Sequence, residues 1–313
     1  MNRQAAGKTL RLSNPALSDL RADAGYVISA AGTEARGRAP VWEMCLQNRP
    51  TNCVEVLDST DTTVRVRQAS SAEKELTLND DNALASVFGG FRAAYLDVSG
   101  MPHHVWAPLL RVGFSVLDEL YVVYTEPAIY KKHPSPTSRT EFDLSAGFRG
   151  IAPLPGFAKL RGPEDEKDAV FVALLGFEGK RASHVALSLD PVPRVFAVIG
   201  VPGFRIEYPQ ITHASNIDFL AEYRAHANVR FASASCPFET YEALSEIQRD
   251  CPGKYMYLVP IGTKPHAVGA ICYALTHPAS TEIMYDHPIR KAGRTDGIGT
   301  MHIYQLKPSH VAP

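Results

Sequence analysis

Residues 256–275 read Met-Tyr-Leu-Val-Pro-Ile-Gly-Thr-Lys-Pro-His-Ala-Val-Gly-Ala-Ile-Cys-Tyr-Ala-Leu. Met256–Val259 is a short apolar run of the kind that forms a buried strand, and Ile261-Gly262-Thr263-Lys264-Pro265 interrupts it. Val268, Ile271, Cys272 and Leu275 then return at i, i+3, i+4, i+7, the spacing of one helix face. Thr263 can cap that helix, Pro265 suits its first turn, and Gly262 allows close approach of a ligand to the backbone. A strand that passes through a small polar loop into a helix aims free N–H groups and a positive dipole end at one spot. Such a spot favours anions, and Lys264 adds charge to it.

The same grammar recurs along the chain. Strands are expected at Tyr26–Ala31, Cys53–Leu57, Thr63–Val66, Ala93–Val98 and Leu120–Tyr124, and again at Ala169–Leu175, Val195–Val201, Val229–Phe231, Glu282–Tyr285 and His302–Leu306. Helical spacing follows several of them, notably after Pro40, through Val105–Val116, at 215–226 and at 237–248. Residues 1–24 read as a polar lead-in, 68–84 as polar helix or loop, and Lys131–Ser138 as exposed loop. The Val185, Leu187, Leu189 alternation argues against a helix where the pattern otherwise calls for one. Alternating strands and helices imply a mostly parallel sheet covered on both faces, with ligands outside the carboxyl ends of its strands.

Three loop motifs appear twice in the same order. Gly32-Thr33-Glu34-Ala35-Arg36 matches Gly176-Phe177-Glu178-Gly179-Lys180, Gly100-Met101-Pro102-His103 matches Thr263-Lys264-Pro265-His266, and Tyr124-Thr125-Glu126-Pro127 matches Tyr285-Asp286-His287-Pro288. The expectation is an α/β fold made of two tandem Rossmann-like halves with mostly parallel sheets, related by internal duplication and pseudo-two-fold symmetry. The halves are placed at 1–155 and 156–313, the boundary falling in the Pro/Gly-rich passage at 150–168. Twin loops would then face a shared cleft suited to a nearly symmetric ligand.

Pro260–Ala270 resembles the Gly-Thr-Lys-Pro loop of the CRISPR-associated Rossmann-fold (CARF) sensor domains of bacterial anti-phage defence systems. About a dozen residues carry the resemblance. It implies a Rossmann-like fold that binds a cyclic oligoadenylate or related nucleotide signal between paired modules. Those domains usually pair two chains and carry a separate effector; here one chain would hold both modules, and its signal would pass to an effector protein in trans.

Other features bound the function. The 313 residues carry 32 Lys+Arg and 33 Asp+Glu, net −1, so no overall basic field argues for bulk nucleic-acid binding. The five cysteines (Cys45, Cys53, Cys236, Cys251, Cys272) contain no C-x-x-C pair, and the histidines show no metal-ligand spacing, so no metal is expected. Neither G-x-G-x-x-G nor G-x-x-x-x-G-K-[ST] occurs, which disfavours NAD and P-loop chemistry, and no cofactor is expected. No signal-peptide core precedes residue 40 and no 18-residue apolar run occurs, so the expected location is cytoplasmic, away from membranes. Self-association into a homo-oligomer stays open.

The expected ligand-binding set is Gly262, Thr263, Lys264, His266, Gly176, Glu178, Lys180, Arg181, Gly32, Thr33, Glu34, Arg36, Ser99, Gly100 and His103. Arg36, Arg38, Lys180, Arg181 and Lys264 would line one sheet edge as phosphate partners. Tyr124, Tyr285 and Phe177 can stack a base, and Arg290, Lys291 and Arg294 can form a basic flap beside Gly293, Gly297 and Gly299. For an enzyme, His266, Glu178, His103 (with its neighbour His104) and Glu34 are the acid–base candidates. Asp168 with Glu178-Gly179-Lys180 faintly echoes a D…E-x-K nuclease pattern. Three readings remain: a nucleotide sensor, a phosphodiester- or nucleoside-cleaving enzyme on the same scaffold, and a structural subunit of a defence complex.

Overall fold

A computed structural model describes residues 7–30, 34–69, 71–159 and 168–307. The chain divides into two compact units, one of Met1–Tyr130 with Ala292–Pro313 and the other of Lys131–Lys291.

Fourteen strands among the described residues build the two principal sheets. In chain order they are β1 (Gly7–Leu12), β2 (Gly25–Ser29), β3 (Cys53–Ser59), β4 (Thr63–Gln68), β5 (Lys74–Thr77), β6 (Ala93–Asp97) and β7 (Glu119–Thr125). Then come β8 (Ala152–Pro153), β9 (Ala169–Leu174), β10 (Arg194–Gly200), β11 (Val229–Ala232), β12 (Tyr255–Pro260), β13 (Thr281–Tyr285) and β14 (Met301–Leu306). The helices used below are α1 (Pro40–Asn48), α2 (Asp81–Ala85), α3 (His103–Val116), α4 (Lys180–Ala186), α5 (Tyr208–Ser215), α6 (Ile217–Glu222), α7 (Pro237–Asp250) and α8 (Lys264–Thr276).

The sheet of the first unit has the order β1-β14-β7-β6-β2-β3-β4-β5. Its centre, β7-β6-β2-β3, is parallel, and antiparallel strands extend it on both sides. The second sheet runs β8-β13-β12-β9-β10-β11, parallel throughout except for the antiparallel edge strand β8. Every residue of β2, β6, β9 and β13 is buried, as strands covered on both faces must be. In both units the first parallel strand crosses to a neighbour on one side (β2 to β3, β9 to β10), and β6 and β12 cross through α3 and α8 to a neighbour on the other. The four-strand orders β7-β6-β2-β3 and β13-β12-β9-β10 therefore correspond in direction, while the middle connection differs, running through antiparallel β4 and β5 in the first unit and parallel β11 in the second.

Each central sheet is held by its own apolar core. In the first unit Tyr26, Ile28, Trp42, Cys45, Tyr95 and Val123 join α1 to the sheet. In the second, Phe171, Ala173, Val185, Ala197, Phe219 and Val259 join α4 and α6 to it.

Several sequence expectations are corrected. The boundary expected within 150–168 lies inside the second unit; the chain crosses between units at Tyr130/Lys131 and returns at Lys291/Ala292. The return exists because β14 pairs antiparallel with both β1 and β7, so the last strand belongs to the first sheet rather than to a second half. The lead-in contains β1, and 68–84 contains β5 and α2. Lys132–Thr137 is an exposed antiparallel ribbon with Thr140–Phe142, its Thr and Ser side chains giving no apolar alternation to read. Lys180–Ala186 is helical, with Val185 buried and Leu187, beyond its end, 71% exposed. Most of the Pro163–Asp168 loop lies outside the described residues.

Candidate functional site

In a parallel sheet whose crossovers leave in opposite directions, the crevice forms between the two strands that diverge. Here those strands are β2 and β6 in the first unit and β9 and β12 in the second. The described expected binding and acid–base residues lie in loops or helix starts at these four carboxyl ends; Gly32 and Thr33 fall outside the described residues.

In the second unit the crevice is closed by backbone. A Cβ on Gly262 would lie 2.5 Å from the Leu175 carbonyl oxygen, and one on Gly176 would lie 2.8 Å from that of Ile261. The two glycines let loop approach loop, not loop approach ligand. Asn216 Nδ2 fastens the arrangement by donating to the Gly176 carbonyl at 2.7 Å. Arg181 is buried and donates to both oxygens of Asp286 at 2.7 and 2.6 Å and to the Ile261 carbonyl at 3.2 Å. Its guanidinium lies 5.7 Å from the Tyr285 ring centre. Burial opposes the charge, but hydrogen bonding to Asp286 and the neighbouring Tyr285 and Glu178 outweigh it and hold Arg181 protonated. Glu178 accepts from Ser145 N and Ser145 Oγ, both at 2.9 Å, so it ties down the 144–145 segment. Lys180 is exposed.

The anion site expected at the start of α8 is occupied by the protein itself. Pro265 has no N–H, and the His266 N–H goes to Thr263 Oγ1 at 3.3 Å, while that hydroxyl donates to the Ala234 carbonyl at 2.8 Å. Lys264 is 6% exposed. His266 is fully enclosed, with Nε2 3.1 Å from the Ser233 carbonyl, and burial pushes its pKa down to about 4. A neutral ring without solvent access packs between α8 and β11; it is not placed to shuttle protons.

The first unit differs. Glu34, 5% exposed, accepts from Arg36 Nε at 2.6 Å and from Arg294 Nε at 2.5 Å, so one carboxylate faces two guanidinium groups. Arg36 also donates to Tyr124 Oη at 2.9 Å and to the Thr125 carbonyl at 3.4 Å, with its guanidinium 5.4 Å from the Tyr124 ring centre. Burial works against this charge, yet Tyr124, Tyr130 and Glu34 together raise its pKa above the ordinary arginine value. Beside it, Asp97 is fully buried and accepts from Trp42 Nε1 at 2.7 Å, Ser99 N at 2.8 Å and Ser99 Oγ at 2.5 Å. Ser99 Oγ in turn accepts from Thr125 N at 2.7 Å, which joins the ends of β6 and β7. Gly100 sits against Ser29 and Gly37, where a Cβ would find Gly37 Cα at 3.2 Å.

The structure thus brings together Glu34 with Arg36 and, separately, Gly176 with Gly262, but it does not assemble the acid–base candidates. His103 is 7% exposed and its ring lies 5.0 Å from that of Trp106. His104 Nε2 lies 3.2 Å from Ser59 Oγ. Of the five expected phosphate cations, Arg36 and Arg181 are paired as described, and Arg38 binds Glu43 and Glu55 at 2.8 and 2.9 Å. Tyr124 and Tyr285 are buried beneath their arginines, so neither offers an open face to a base, and Phe177 packs on Phe142 and Tyr208 at 4.7 and 5.0 Å. Asp168 pairs with Lys254 and Glu178 with Ser145, which separates the D…E-x-K echo. Of the expected flap, Lys291 binds Asp143 and Arg294 binds Glu34.

Asp286 and Asp97 were not among the expected site residues. Each was detectable as an acid set at the end of an apolar strand run, where a buried carboxylate must find a partner. Among the described residues no cluster of three or more His, Cys, Asp or Glu is arranged to hold a metal, and no helix is long and apolar enough to cross a membrane. No protein-family model and no curated protein matches the chain.

Proposed function

We propose that this chain binds a nucleotide through its phosphate at the carboxyl edge of the first unit, and releases it unchanged. One observation carries the reading: Glu34 supplies one negative charge to Arg36 and Arg294, both largely shielded from water at the end of β2. Two guanidinium groups around one carboxylate leave an excess positive charge in a region of low dielectric, where a phosphate is bound more strongly than at an open surface. The position outside the carboxyl ends of parallel strands is where open α/β sheets bind such ligands.

The CARF-like sensing role and a duplicated origin of the two units belong to the same proposal. Two observations support duplication: the corresponding four-strand orders, and a buried arginine over a tyrosine near the carboxyl end of β7 and of β13 (Arg36 over Tyr124, Arg181 over Tyr285). On this reading the second unit has lost its anion site, since Asp286 neutralises its arginine and Gly176 and Gly262 close its crevice.

The test is calorimetry of linear and cyclic nucleotides against wild type and Arg294→Ala. Arg294→Ala leaves the Arg36–Glu34 pair neutral and intact, so it should weaken binding about ten- to hundredfold without unfolding the protein. Equal affinities would remove the triad from the site. Mass spectrometry of the recovered ligand separates binding from cleavage; a cleaved product would favour the enzyme reading.

A further inference from the structure

Beside the part of the first sheet that α1 covers lies a cleft that none of the expected site residues lines. A row of cross-strand partners runs Tyr26, Tyr95, Tyr121, Gln305, Lys8 over β2, β6, β7, β14 and β1. The first three are tyrosines whose rings stack in sequence: Tyr26 on Tyr95 at 5.7 Å and 22°, and Tyr95 on Tyr121 at 4.7 Å and 18°. The 4.7 Å Tyr95–Tyr121 separation matches the spacing of the strands beneath it. It then stops, because β14 contributes Gln305 where a fourth ring would stand. Tyr121 and Tyr95 border a cleft of about 220 Å³ there, lined also by Leu10, Ile303 and Gln305 and by Lys8 and Asp19.

The polar groups at this cleft are held in defined directions. Glu119 accepts from Tyr121 Oη at 2.6 Å, from Gln305 Nε2 at 2.7 Å and from Arg21 at 2.6 Å. Gln305 Nε2 also donates to Tyr121 Oη at 3.3 Å. With its amide nitrogen committed on both protons, Gln305 turns its carbonyl oxygen away from Glu119 as an acceptor. Lys8, its partner across the strands, supplies a cation that donates. The cleft therefore offers aromatic and apolar walls, the Gln305 carbonyl and the Asp19 carboxylate as acceptors, and the Lys8 ammonium as a donor.

We propose that this cleft takes a planar heteroaromatic ring with an amide edge, of the kind a uracil or hypoxanthine base presents, packed against Tyr121 where the tyrosine row ends. The ring N–H would donate to Gln305 Oε1 and the ring carbonyl would accept from Lys8 Nζ, while Leu10 and Ile303 cover the opposite edge. The volume fits a single ring system and not a drug-sized ligand, for which about 300–1,000 Å³ is usual. The proposal is independent of the phosphate site, since neither Arg36 nor Arg294 lines this cleft.

The test is a titration of the full chain with hypoxanthine and uracil, followed by saturation-transfer NMR, with benzoate as a ring lacking the amide edge. Both bases should bind and benzoate should not. Tyr121→Leu should weaken binding about tenfold through loss of the stacking face. Leu10→Trp alters a half-exposed side chain, so it should fill the cleft and abolish binding while the melting temperature stays unchanged. Arg294→Ala should leave base binding intact. No binding of either base at millimolar concentration, binding undisturbed by Leu10→Trp, or loss in Arg294→Ala would each overturn the proposal.

Discussion

Arg181 and Asp286 form a bidentate pair whose carboxylate side chain has no exposed surface. Neither ion entered the interior for free, so the pair as a whole is weak evidence of stability, while breaking it is costly. Arg181→Met should lower stability by about 3–5 kcal/mol, because Asp286 stays behind as a buried uncompensated charge. The double change Arg181→Met with Asp286→Leu should recover much of that loss, which urea titrations of the three variants would show. Two histidines act through pH. Burial pushes His266, and burial with nearby Arg11 pushes His302, from an ordinary 6.5 down to about 4. Between those limits the unfolded chain binds protons at both rings and the folded chain does not, so their contribution to stability falls as pH drops from about 6.5 toward 4 and is constant above. Each ring contributes up to about 3 kcal/mol to this fall. His302→Phe should flatten the acid limb relative to wild type by about that amount; identical limbs would remove His302 from the effect.

At the scale of elements, the strand–loop–helix stretch at 256–275 was legible because each part carries its own local signal. The apolar run becomes β12, Thr263 caps α8 through its hydroxyl, and Pro265 stands in the first turn. What Gly262 is for was not legible: the glycine reads the same whether its missing side chain admits a ligand or another loop. Local sequence marks a close approach without naming what approaches. The carboxylate that neutralises Arg181 was hidden for a related reason, since Asp286 lies 105 residues away and pairing at that distance leaves no local pattern. Gly262→Ala supplies a direct check. Its Cβ would sit 2.5 Å from one carbonyl oxygen and 2.9 Å from another, and backbone must shift to relieve it. A loss of about 1–3 kcal/mol is expected, against a near-neutral Gly147→Ala, whose Cβ meets nothing within 4 Å. Equal melting temperatures for the two variants would show that the loops at Gly176 and Gly262 are free to part.

For the whole molecule, the α/β class followed from the alternation of apolar runs and helical spacing, but the partition of the chain did not. A strand's apolar pattern says that it is buried and is silent about which sheet buries it, so β14 reads equally well as the last strand of either unit. Its actual place, between β1 and β7, makes the first unit discontinuous and the second a single stretch, Lys131–Lys291. That arrangement sets the last prediction. Met301, Ile303, Tyr304 and Leu306 are each at most 4% exposed, and burying four such side chains contributes roughly 6–12 kcal/mol at about 1.5–3 kcal/mol apiece. That is comparable to the entire stability of an ordinary domain, about 5–15 kcal/mol. Deleting residues 292–313 should therefore unfold the first unit, exposing the facing edges of β1 and β7, while the second keeps its own core and melts cooperatively. Expressed alone, residues 131–291 should show that same transition by circular dichroism and calorimetry. If the truncated chain instead retains two transitions, β14 is dispensable to the first sheet; if the 131–291 fragment shows none, the second unit is not an independent folding unit.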